Sequence, residues 1–209
     1  MNFLKKYDKP FEYAGIIMKL IIAYQFSVIW FQPEASDVSK ISSMAILMVF
    51  EFIMVHSGVF MAVMPKRLSL FLLVPFYGLF AWGFSSAMEG NDILIIYLLV
   101  VLNRMRFAFS EVDIQIRSRA ILFSISAAIL YLILIFITLF SNGVFGELGL
   151  TQEFLNSSGY FETLTASGEF MERPHTAISF GFFYYCFLAV VETLLLTTKK
   201  INMTKIAIK

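Results

Sequence analysis

The chain has 209 residues, 59% of them hydrophobic and only 15% charged, with a mean hydropathy of +0.79. Soluble domains carry about a quarter charged residues, and a chain of this size has too little interior to hide so many apolar side chains from water; a bilayer lifts that limit by solvating apolar faces. A net charge of +1 provides no basic domain for nucleic acid, and the one cysteine, Cys186, excludes an intrachain disulfide and a cysteine metal cluster.

A helix needs about 20 residues to cross the hydrocarbon layer. The apolar runs predict six such spans: Tyr13 to Phe31, Ile41 to Met64, Leu68 to Met88, Ile93 to Phe109, Ala120 to Phe140 and Thr176 to Thr198. No A-x-A-like site follows the first run, which therefore reads as a retained span rather than a cleaved signal. Asn103, Arg104 and Arg106 interrupt the end of the fourth. Two short connections, Pro65-Lys66-Arg67 and Glu89-Gly90-Asn91-Asp92, make spans two, three and four antiparallel neighbours. Pro75 predicts a kink in span three, serving either packing or a gating hinge.

Charge sorts around these spans. Thirteen of the sixteen Lys and Arg fall in segments that share one side of a membrane, whereas Lys40 and Arg173 fall on the other and Lys19 lies within a span. Nine of the fifteen acids lie on the side with two basic residues. Lys/Arg excess marks the cytoplasmic side. The fold class expected is thus an all-α, six-helix transmembrane bundle with both termini cytoplasmic, set in a bacterial inner membrane.

Ser141 to His175 forms the longest outer connection. It holds Glu147, Glu153, Glu162, Glu169 and Glu172 against Arg173, together with Phe145, Phe154, Tyr160, Phe161 and Phe170. A disordered linker would not be so aromatic, so short helices folded back at headgroup level are expected. This acidic loop, with His175 at its end, either attracts cations to an outer mouth or is simply solvated. Asn156-Ser157-Ser158 is a glycosylation acceptor only in a secretory-pathway cell. On the inner side, Ser110 to Ser118 alternates apolar and polar residues but is flanked by arginines, which favours a helix lying on an anionic lipid surface over a strand.

Ionisable groups within spans are functional candidates. Glu51 lies near the bilayer centre with only apolar flanks, so it must be neutral, paired or facing a wet cavity. His56 is five residues further, about 140° around the helix, and points to a different neighbour. Ser57 and Gly58 beside it allow close approach of another helix. Lys19 and Glu192 lie at similar depth, about 9 Å from the inner face, where an ion pair would close the bundle between first and last helices; snorkelling of Lys19 is the alternative. Asn103 completes the set of polar candidates. A bis-histidine haem is disfavoured because His56 sits about 22 Å below the face that carries His175; haem or metal through His56 alone is the remaining cofactor option. Met44, Met48, Met54, Met61 and Met64 spread around their helix and read as lipid-facing or packing residues rather than soft-metal ligands.

No H-E-x-x-H, G-x-S-x-G or P-loop occurs, so the reading leans away from an enzyme. Two functions are expected. One is a small cation- or proton-linked channel or transporter with Glu51 at its midplane, built as a homo-oligomer if one chain is too small for a pore. The other is an accessory, sensor or immunity-type protein acting on a membrane-protein partner.

Overall fold

The computed structural model describes residues 3–63, 65, 68–86, 114–140, 145–164 and 167–198. The fourth predicted span (93–109) with Asn103, the connection 89–92 and the C-terminal lysines lie outside the described residues, as do the side chains of His56 and Ser57. Every regular element among the described residues is helical.

The first helix, α1, runs Phe3–Phe31. It stops just before Gln32-Pro33, because the residue preceding a proline is pushed out of helical geometry. A 3-10 turn, Ala35–Asp37, follows. It is capped from within, since the Glu34 backbone N–H donates to Asp37 Oδ2 at 3.0 Å. Helix α2 then spans Val38–Val63. A π-helical turn, Ser69–Leu73, leads into α3, Val74–Ser86. Pro75 offers no N–H to the Phe71 carbonyl one turn back, and the backbone widens at that point. A π-helical turn, just ahead of the proline, thus stands where a kink is expected.

Helix α4 covers Ile114–Phe140. The expected surface helix over 110–118 is corrected in part: from Ile114 the chain already belongs to the long helix. Arg119, at its edge, pairs with Glu12 of α1 at 3.1 Å. Short pieces follow, α5 at Gln152–Ser157, a 3-10 turn at Tyr160–Thr163, and α6 at Glu169–Glu172. The aromatic loop is therefore folded into helical turns. The last helix, α7, is Pro174–Thr197, with proline in the first turn where its missing N–H costs nothing.

Among the described residues four helices, α1 from Glu12, α2 with its preceding turn, α4 from Ser118, and α7, are long and apolar enough to cross a membrane. The most apolar of them, α4, is also the least covered, with 17% of its most apolar stretch buried against 56% for α2. Ile125, Ile129, Ile133, Phe136 and Phe140 of α4 all face outward. In water such a face would forfeit about 25 cal/mol for every Å² left exposed. The arrangement suits a lipid solvent.

Helix α7 is central and touches α1, α2 and α4, while α3 packs on α2. Phe31, Val38, Phe140 and Pro174 mark one end of the bundle, called the loop end below. Met44, Met48 and Met54 are all buried, so at these positions the lipid-facing option is corrected to packing: the unbranched thioether fills the gaps between α2 and its neighbours.

The α1–α7 seam repeats every seven residues. Phe26 stacks on Tyr185 with ring centroids 5.9 Å apart. Lys19, seven residues before Phe26, meets Glu192, seven after Tyr185, at 2.8 Å. Gly181 makes the approach possible, because a Cβ there would collide with the Phe26 ring. Gly181→Leu should therefore lower stability by about 1–3 kcal/mol through overpacking, read as a reduced thermal unfolding midpoint in detergent. An unchanged midpoint would mean that the Phe26 ring yields freely.

The loop is fastened to the loop end. Trp30 Nε1 donates to the Gly146 carbonyl at 2.9 Å, and the Gly149 N–H donates to the Trp30 carbonyl at 3.0 Å. Leu150, Leu155 and Tyr160 are fully buried beneath it. Tyr160 donates its hydroxyl to the Met171 carbonyl at 2.9 Å, and burial pushes that hydroxyl up to about 12.

Candidate functional site

Glu51 is the fourteenth residue of α2, about 20 Å along the axis from the loop end at 1.5 Å per residue. Tyr184 and Tyr185 lie at a comparable level on α7, about 15–17 Å from its start. The Tyr184 hydroxyl donates to Glu51 Oε1 at 3.2 Å, and the Tyr185 hydroxyl donates to Glu51 Oε2 at 3.3 Å. Each carboxylate oxygen thus accepts from a different tyrosine. Consecutive residues of a helix diverge by about 100°, so the two rings reach the same carboxylate from two sides.

A third tyrosine completes the layer. Tyr131 of α4 sets its ring edge against Tyr184, with centroids 5.5 Å apart, and against Phe180 at 4.9 Å. Its hydroxyl donates to the Met48 carbonyl of α2 at 2.7 Å. Three helices are therefore joined by polar groups at mid-bundle, inside a ring of Phe26, Met48 and Phe180 that is fully buried. Glu51 itself is half-buried. The apolar surroundings make every hydrogen bond there stronger and every missing one costlier.

About 10 Å deeper, two helical turns along α7, sits the second polar contact. Lys19 Nζ donates to Glu192 Oε2 at 2.8 Å and to the Gly15 carbonyl at 3.3 Å. It also lies 5.0 Å from the centre of the Phe123 ring of α4. Their common depth suggests a Lys19–Glu192 pair, and the structure joins them. Their side chains are 12% and 18% exposed, so the pair is mostly sheltered.

The loop end carries a cavity of about 240 Å³. Of the loop candidates, Glu147, Glu169 and His175 line it, together with Arg173. Glu153, Glu162 and Glu172 are exposed. Glu172 accepts from the Gly168 N–H at 3.3 Å, and Glu169 pairs with Arg173 at 3.2 Å. His175 is the second residue of α7, whereas His56 lies eighteen residues along α2 from Val38, so their backbones differ widely in depth. Among the described residues no three His, Cys, Asp or Glu side chains gather as a metal would require.

Sequence reasoning missed the tyrosines. The available signal was their depth: aromatic rings with polar tips are favoured at the membrane interface, and Tyr131, Tyr184 and Tyr185 stand far from either end of their runs. The Glu12–Arg119 contact was also missed, because Glu12 precedes the apolar run and its partner is 107 residues away.

No protein-family model, no curated protein and no solved structure matches the chain.

Proposed function

We propose that the protein is a six-span membrane protein with both termini cytoplasmic, set in a bacterial inner membrane, that conducts a proton or a cation by way of Glu51. The observation that carries this reading is the pair of tyrosine hydroxyls donating to the Glu51 carboxylate at mid-bundle. A hydroxyl both donates and accepts. The tyrosines can therefore stay bonded to Glu51 whether it is charged or protonated, which lowers the cost of changing its state in an apolar layer. Ionisable groups at such depth mark proton and ion pathways. The acidic loop adds a field that concentrates cations at its end of the bundle. A chain this small reaches a pore most simply as a symmetric homo-oligomer, with several Glu51 side chains around one axis.

A second reading has its own support. The same hydrogen bonds knit α2 to α7, as a scaffold needs, and an accessory, sensor or immunity-type protein acting on a membrane partner would use Glu51 only to fix helix packing. Proton and cation flux into liposomes holding the purified chain separates the two. Flux above that of protein-free vesicles supports conduction. Its absence under both a pH gradient and a cation gradient would overturn conduction in favour of the second reading.

A further inference from the structure

Helix α1 packs one face on α7 and leaves another bare. Along the bare face Ala14, Met18, Ile21, Gln25 and Val28 are all exposed. Their spacing alternates between four and three residues, which on an α-helix draws a continuous ridge of the kind that packs against a second helix at a shallow angle. Ala14, Met18, Ile21 and Val28 are apolar, and lipid satisfies them. It does not satisfy Gln25. That residue lies six positions before Phe31, about 9 Å inside the end of the crossing segment Glu12–Phe31. Among the described residues its carboxamide has no hydrogen-bond partner, and hydrocarbon supplies none. The neighbouring Tyr24 is 68% exposed and carries a second polar tip on the same side. The bare face of α4 differs: Ile125, Ile129, Leu132, Ile133 and Phe136 are exposed there, and none of them asks for a polar partner.

A polar residue in an otherwise apolar seam selects the helix that can pack on it and fixes the register. A carboxamide holds both donors and an acceptor, so two of them facing each other are mutually satisfied. A second copy of this chain, inserted the same way, brings its own Gln25 to the same depth with no further requirement. Any other membrane protein would need a matching polar group at that level. We propose that two copies pair through α1, parallel and about a two-fold axis, with the Gln25 carboxamides hydrogen-bonded across it and Ala14, Met18, Ile21 and Val28 packed along it. The assignment rests on α1 crossing the membrane and not on conduction by Glu51, which lies on another helix.

The test uses the full chain with Cys186→Ala as background, reconstituted in phosphatidylcholine vesicles over a series of protein-to-lipid ratios. Single cysteines are introduced and oxidised, and the linked dimer is read on a non-reducing gel. In a parallel two-fold pair each seam position lies against itself, so Ile21→Cys and Val28→Cys should each link. Ile129→Cys, 52% exposed on α4, should stay monomeric. Adding Gln25→Leu to the Val28→Cys chain should raise the protein-to-lipid ratio at half linkage by about fivefold or more, as loss of an interhelical hydrogen bond implies. Gln25→Asn keeps the amide and should link like its parent. Gln25 is exposed, so the unfolding midpoint of the dilute protein should not move in either variant. No linkage at the two α1 positions would overturn the pairing and leave this face to lipid or to another protein. Linkage at Ile129 equal to that at Val28, or a Gln25→Leu chain that links undiminished, would overturn it as well. Flux measured on the same vesicles reports on Glu51 separately, since linkage can fail while flux persists, and the reverse.

Discussion

Glu51→Gln should leave the protein folded and bring its flux down to that of protein-free vesicles. Glutamine matches glutamate in shape, and its carbonyl oxygen still accepts from one of the two tyrosines. It cannot take up or release a proton, nor offer a charge to a cation. Size exclusion and the unfolding midpoint should therefore stay close to wild type while conduction disappears. The companion variant, Tyr184→Phe with Tyr185→Phe, keeps the carboxylate and removes both donors, so flux should be reduced but measurable. Undiminished flux in Glu51→Gln would remove this residue from the path and leave it a packing role.

Lys19→Met should be among the most destabilising single changes in the bundle, by about 3–5 kcal/mol, because it strands the Glu192 carboxylate in a sheltered site. The 12% and 18% exposure of the two side chains pushes the value toward the lower end of that range. The loss is not simply the worth of the pair, since replacing both partners by apolar residues of similar volume is often neutral or stabilising. Lys19→Met with Glu192→Leu should therefore recover most of the stability that the single change removes. Unfolding in detergent, followed by circular dichroism, measures all three. A single variant as stable as wild type would show that Glu192 reaches solvent or headgroups when Lys19 is gone.

These contacts were legible to different degrees. The four long apolar helices among the described residues follow from run length, because the hydrocarbon thickness sets the number of residues a crossing needs. Lys19 and Glu192 follow from depth: two opposite charges at one level of a bundle have few other ways to lower their cost. Glu51 stood out because its flanks offered nothing. The identity of its partners did not, because Tyr184 and Tyr185 are 133 and 134 residues away, and rotation of α7 about its axis is not written in any local pattern. Gly181 is a similar case. In sequence it is one small residue among aromatics, and only the Phe26 ring seated on it gives it a purpose. The loop cavity needed the fold as well, since it draws Thr138 from α4, Glu147 from the loop and His175 from α7 into one lining.

The Lys19–Glu192 contact spans 173 positions of the chain, and that distance has a consequence for biogenesis. During synthesis α1 enters the membrane long before α7 exists. Lys19 must wait through that interval, held by the insertion machinery or reaching for headgroups, and only the arrival of α7 completes the seam. A nascent chain released before α7 thus carries the Lys19 charge on an apolar helix without its Glu192 partner. A chain truncated ahead of Pro174 should be cleared from cells faster than the full chain in a pulse-chase measurement. Lys19→Met in that truncated chain should slow its clearance; equal lifetimes would show that the charge is not what is sensed.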